Sequence, residues 1–303
     1  MEKFVAQNKL LDADAIQRAE MLGIQARQIV EGYMSGEHKS PYHGFAIEFA
    51  QHREYTAGDD TRHLDWKVLA RTERYYIKQY EQETNYVAHI LLDGSESMKY
   101  ASGKTSKFDY ARVIAATFAY LILLQRDAVA VGMFDTAVKG YLPRSDNMAS
   151  IHNIMRVLAG FAPSEKTSIP TVLNEMARQV KRRGIFILIS DFFDDVDAVM
   201  RGIQHLRFSK HEVVVCQVLD PYELRFPFTG SVEFHGLEGF GRILTRPAEL
   251  KKSYLAAMQA FTDKMRDGCE RNGCHYLKIE TSQPWHEVLS GYLAFRERTR
   301  GAR

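Results

Sequence analysis

The sequence predicts an α/β fold, a doubly wound and mostly parallel sheet preceded by an N-terminal α+β subdomain. Three observations carry this. From Tyr86 onward, short apolar runs alternate with helix-patterned segments, the order that a parallel sheet with crossover helices requires. Most of those runs are apolar at nearly every position rather than at every second one, as strands covered on both faces are. The chain has 303 residues with 45% hydrophobic content, enough to bury a substantial core in one large domain or two.

Taken in order, residues 11–34 carry apolar side chains at Leu11, Ile16, Met21, Ile24, Ile29 and Val30 among charged ones, a helical pattern. Gly36, Ser40 and Pro41 end it. Residues 45–49 and 75–80 look strand-like and flank a polar segment around Gly58-Asp59-Asp60, so residues 1–85 are expected to form the smaller subdomain. The larger domain, 86–303, should take its strands from 87–92, 128–134, 185–190, 212–218 and 275–279. The shorter segment 138–142 would add an antiparallel edge. Phe108, Ala111, Ala115, Phe118 and Ile122 recur at three- and four-residue steps, and Ser106 with Asp109 resembles a capping box, which places a helix directly after the first strand. Between Pro221 and Pro247 glycines and aromatics replace the alternation. This reads as an insertion at about 220–248 with a hairpin near Gly239.

Composition excludes several functions. With 40 Lys and Arg against 38 Asp and Glu there is no general attraction to nucleic acid, although a local basic patch is compatible with this balance. Cys216, Cys269 and Cys274 are odd in number and form no Cys-x-x-Cys pair, so free thiols are expected. The first 30 residues lack the basic start and apolar core of a secretory signal. The most apolar stretch, 113–124, falls well short of the roughly 20 residues of a membrane helix. A cytoplasmic chain without membrane insertion is the expectation. There is no phosphate-binding Gly-x-x-x-x-Gly-Lys-Ser/Thr loop, no Asp-x-Asp phosphatase motif at Asp93 and no Gly-x-Ser-x-Gly nucleophile elbow, which argues against a P-loop ATPase, a haloacid dehalogenase-type phosphatase and a serine hydrolase.

The most informative segment is Asp93-Gly94-Ser95-Glu96-Ser97, where a buried strand runs into a turn crowded with carboxylate and hydroxyl oxygens. Open α/β sheets bind ligands at such strand ends, and magnesium prefers oxygen ligands while keeping some of its water. The structural alternative is a polar turn that caps the following helix. The segment resembles the metal-ion-dependent adhesion site of von Willebrand factor type A domains, whose first motif reads Asp-x-Ser-x-Ser. That resemblance implies a von Willebrand factor type A-like sheet with Ser95 and Ser97 as direct ligands. It implies Asp93 and Asp191 acting largely through water, and Thr167 from a later loop; Lys166 stands where a glycine is usual, so Ser168 is the alternative to Thr167. A carboxylate from a partner would fill the open position. Mg2+ is favoured, with Mn2+ and Ca2+ as alternatives.

A second resemblance rests on Glu48-Phe49, Arg53-Glu54-Tyr55, Gly58-Asp59-Asp60, Arg62, Asp65-Trp66 and Ala70-Arg71. These blocks are similar to the signature of the bacterial domain of unknown function 58 family, which is described as containing a von Willebrand factor type A-like domain. Many of its members carry N-terminal membrane helices; the sequence shows no such segment, so a soluble member is the expectation. The resemblance implies a common genomic association with MoxR-type AAA+ ATPases, and so an adaptor or chaperone-like role in maturing or remodelling another protein. The charges of residues 53–74, with His52, His63 and Trp66, are read as structural rather than as a site. The function expected is a non-enzymatic, metal-dependent protein-interaction module with no catalytic residue; the alternative is a metal-dependent hydrolase acting on a phosphoester.

Overall fold

The structure is a computed structural model and describes residues 13–34, 52–54, 75–78, 87–164, 166–235 and 241–301. Its main sheet has six strands: β3 (Val87–Asp93), β4 (Ala128–Phe134), β5 (Val138–Ser145), β6 (Gly184–Ser190), β7 (Glu212–Leu219) and β10 (His275–Glu280). They lie in the order β10-β7-β6-β3-β4-β5. Every neighbouring pair is parallel except β4 with β5, which is antiparallel. The doubly wound sheet and its antiparallel edge are thus as expected. Strand order reverses between β3 and β6, so their C-terminal ends border the crevice in which such sheets bind ligands.

The continuous apolar runs are explained by two cores, one on each face of the sheet. Along β6, Ile185, Ile187 and Ile189 enter the first core, whereas Phe186 and Leu188 enter the second, as the two-residue period of a strand dictates. Helices α1 (Ala13–Met34), α2 (Lys107–Leu124), α3 (Ile151–Gly160) and α8 (Trp285–Gly301) supply the first core; α4 (Ile169–Gln179), α5 (Val196–Phe208) and α7 (Pro247–Arg271) supply the second. Each side chain of this kind taken fully out of water contributes about 1.5–3 kcal/mol. The short α6 (Pro221–Arg225) and the antiparallel pair β8 (Val232–His235) and β9 (Arg242–Thr245) sit between β7 and α7. They occupy the stretch read as an insertion; the turn between these two strands lies mostly outside the described residues.

α2 begins as its sequence suggested, with the Ser106 hydroxyl accepting from the Asp109 amide at 3.0 Å and donating to its carboxylate at 2.8 Å. α1 differs from expectation in phase. Among its described side chains Leu22, Ala26 and, as expected, Val30 are buried, while Met21 and Ile24 are 62% and 57% exposed. That buried stripe packs against α2 and α3, so residues 1–40 group with 86–303 in one compact unit, and residues 41–85 form a second. The sequence had placed the helix with the smaller subdomain because nothing local distinguishes a helix that docks on a body later in the chain. Of the second unit, β1 (His52–Glu54) and β2 (Tyr76–Lys78) are described, paired antiparallel with Arg53 opposite Ile77. The strand-like run at 45–49 and most of the signature through Arg71 lie outside the described residues.

Cys216, Cys269 and Cys274 are free and buried. No helix among the described residues is long and apolar enough to cross a membrane.

Candidate metal centre

Asp93 is the last residue of β3, and register places it beside the end of β6, since Leu92 pairs with Ile189. Its carboxylate is fully buried. One oxygen accepts from the Ser95 amide at 2.8 Å and the other from the Ser190 hydroxyl at 2.5 Å. Ser95 and Ser97, both buried, place their hydroxyl oxygens 3.0 Å apart. Asp93, Ser95, Ser97 and Ser190 therefore form one polar cluster at the switch point, within a protein interior that penalises any such group left unsatisfied.

Gly94 permits the tight passage between them. A β-carbon there would lie 2.1 Å from Cε1 of Phe161, well inside contact distance. Its amide donates to the Phe134 carbonyl at 2.6 Å, and its carbonyl accepts from the Ser164 amide at 3.2 Å. The Ser168 amide donates to the Asp135 carbonyl at 3.1 Å, so the loop carrying Thr167 is tied to the ends of β3 and β4 on both sides of that residue. The Thr167 hydroxyl oxygen is buried and has no hydrogen-bond partner among the described residues. The Ser168 hydroxyl, by contrast, donates to Thr171 at 2.7 Å.

Asp191 follows β6 and is also fully buried. One of its oxygens accepts from the Phe193 amide at 3.1 Å, and its carbonyl accepts from the Gln217 side chain at 3.0 Å. The next residue, Phe192, is buried at φ 60°, a left-handed conformation unusual for a bulky side chain and of a kind concentrated at functional sites. Burial first, and then the neighbouring Asp191 charge, push Asp93 up to about 7. Two carboxylates confined this way favour either a shared proton or a cation.

A cation of the protein's own already serves one of them. Lys107, in the first turn of α2, is completely buried, with its ammonium 2.7 Å from both Asp191 and Glu223. Burial works against that charge, but the two carboxylates outweigh it and hold the lysine above its ordinary value. Sequence reading missed Lys107, Ser190 and Glu223. Ser190 adjoins Asp191 and could have been suspected; nothing near Lys107 in the sequence points to its distant carboxylates.

Five residues, Asp93, Ser95, Ser97, Thr167 and Asp191, were expected to form the centre. The hydrogen bonds and register gather Asp93, Ser95 and Ser97 with Asp191 beside them, and anchor the Thr167 loop at the same edge; no direct bond links Thr167 to the others. No group of three or more His, Cys, Asp or Glu side chains is arranged for a metal among the described residues. An ion here would therefore depend on hydroxyl oxygens as well as the two carboxylates. Such a set fits a small hard cation, and the unpartnered Thr167 hydroxyl is the kind of atom such an ion would satisfy.

A six-stranded sheet in this order, parallel but for one edge strand, makes this a doubly wound α/β domain. The chain belongs to the family described as protein of unknown function DUF58, whose profile matches residues 51–261. An uncharacterized protein of Mycobacterium tuberculosis is 25% identical over 281 residues, covering 91% of this chain and 88% of its own length. The chain also has a likeness to the conserved hypothetical protein BatB from Bacteroides thetaiotaomicron, at 18% identity and TM-score 0.47, over 70% of this chain and 99% of that one. A further likeness, to the SpRpn10 VWA domain, is at 11% identity and TM-score 0.40, over 67% and 93% of the two chains.

Proposed function

We propose that this protein is a non-enzymatic interaction adaptor that captures a carboxylate on a protein partner through a divalent cation. Asp93, Ser95, Ser97, Thr167 and Asp191 would hold the ion, and magnesium suits their small, hard oxygen set better than manganese or calcium. The observation that carries this reading is the pairing of two fully buried carboxylates at the switch point with a buried Thr167 hydroxyl that has no hydrogen-bond partner among the described residues. Thr167 is a better ligand than Ser168, whose hydroxyl is engaged with Thr171. The bound cation would supply positive charge for a partner's carboxylate, and the surface around it would set specificity.

Family membership makes a MoxR-type AAA+ ATPase, or its client, the first partner to test. Binding of MgCl2 should be detected by titration calorimetry for the unaltered chain and lost in Asp93→Ala. Affinity purification from native extract should then retain a partner with magnesium but not with chelator. Equal retention in all conditions would end the metal-mediated model, and metal-dependent turnover of a generic phosphoester would shift the reading to a hydrolase.

A further inference from the structure

Beside Glu223, and joined to Asp191 through the Lys107 ion pairs, lies a cavity of about 570 Å3 that the adaptor reading does not use. Its wall is formed by Tyr100, Tyr222, Glu223, Phe228, Phe234 and Tyr254, drawn from the turn before α2, from α6, from the strand pair and from α7. Phe226, a further lining residue, stands at the hub of these rings. Its centroid lies 4.4 Å from Tyr254, 5.1 Å from Phe228 and 5.7 Å from Phe234. Phe228 in turn meets Phe234 and Tyr222 edge-on, at 87° and 84°. Phe226 holds this place at φ 45° and ψ 62°, a left-handed backbone that a bulky residue keeps only where its surroundings fix it.

The charges behind this wall are unequal. Asp191, Asp220 and Glu223 are carboxylates on or behind it, and among the described residues Lys107 is the one ammonium bonded to any of them. Tyr100 reports the balance. After burial itself, Asp220 and Glu223 raise its phenol to about 12, against the opposing effect of Lys107. Burial and then Glu223 also raise Tyr254 above its ordinary value. Glu223 thus lies close enough to act on both phenols. Ring faces are negative as well, and aromatic faces beside a carboxylate are what bind organic cations. The protein makes the same contact next door, where the Lys107 ammonium lies 4.6 Å from the Phe193 centroid and 5.9 Å from that of Tyr100.

We propose that this cavity receives a basic side chain, lysine or arginine, from a protein partner. The aliphatic stem would lie along the rings while the charged head meets their faces and the carboxylate side of the wall. The inference stands on the cavity and its charge, and does not require a metal at Asp93.

The test is a titration of the full chain, labelled with fluorotyrosine and followed by fluorine NMR, with the Nα-acetyl methylamides of lysine, arginine and norleucine. Norleucine keeps an aliphatic stem and lacks the charge. The lysine or arginine derivative should shift the signals of Tyr222 and Tyr254 and bind at least about tenfold more tightly than norleucine. Phe228→Leu, which keeps the cavity apolar but removes a ring, should weaken the cation and leave norleucine unchanged. Equal or tighter binding of norleucine would overturn the proposal in favour of an apolar subsite. No response of these tyrosines to either cation would overturn it outright. The comparison on the unaltered chain decides the matter even if the variant does not fold.

Discussion

Lys107→Met tests whether the buried charges at the switch point are held by one side chain. Methionine keeps most of the lysine stem and removes the ammonium, leaving Asp191, with 0% side-chain exposure, and Glu223, with 12%, without their shared cation at 2.7 Å. Breaking a buried ion pair from one side costs about 3–5 kcal/mol because the remaining charge stays buried. Against a usual domain stability of about 5–15 kcal/mol, the loss should be plain in the midpoint of urea denaturation followed by circular dichroism at neutral pH. Lys107→Met combined with Glu223→Gln removes one of the stranded charges, so the double variant should be less damaged than the sum of the single changes, by about 0.5–3 kcal/mol. The pH dependence follows from the same shift. Since folding raises the lysine above its ordinary 10.5, its contribution is complete below that value and disappears as the pH rises through the higher folded value. A loss under about 1 kcal/mol in Lys107→Met, within the range of exposed pairs, or strict additivity in the double variant, would refute this account.

Two further predictions concern other parts of the fold. Gly94→Ala puts a β-carbon 2.1 Å from Cε1 and 2.8 Å from Cζ of Phe161; it should cost about 1–3 kcal/mol of stability, and Phe161→Leu in the same chain should recover much of it, as read by denaturation midpoints. His89, stacked at 4.8 Å on Phe186, is lowered to about 4 by burial and then by His211. Below pH 6.5 the unfolded chain takes up a proton that the folded chain refuses, so stability should fall by about 3 kcal/mol as pH drops from 6.5 to about 4. His89→Leu should flatten that slope, and a slope unchanged in the variant would show that other groups cause it.

What could be read from sequence depended on whether the signal was local. A strand covered on both faces announces itself by an unbroken apolar run, so β4, β6 and β7 were legible to within a residue or two. The motif at Asp93, Ser95 and Ser97 was legible for the same reason, being five consecutive residues at the end of such a strand. The phase of α1 was not. Val30 was in the pattern and is buried, but Met21 and Ile24 are as apolar as Leu22, and only docking on α2 and α3 decides which of them is buried. Nor does anything in the local sequence around Lys107 show that it reaches carboxylates 84 and 116 positions away.

The reversal of strand order explains why these non-local features meet in one place. At the switch point the connections from β3 and β6 leave toward opposite faces of the sheet, and the crevice between them receives the end of each strand with its polar turn. Asp93 and Asp191 are brought together by register alone, because Leu92 pairs with Ile189. Their shared burial then favours a compensating charge or a proton; Lys107 supplies the charge to Asp191 and not, by any hydrogen bond, to Asp93. Asp93 is left with the Ser190 hydroxyl, the Ser95 amide and a carboxyl raised to about 7. Under the proposed reading, an ion held beside the three serine hydroxyls and the anchored threonine loop would take the place of that proton and supply the positive charge that no side chain bonded to Asp93 provides.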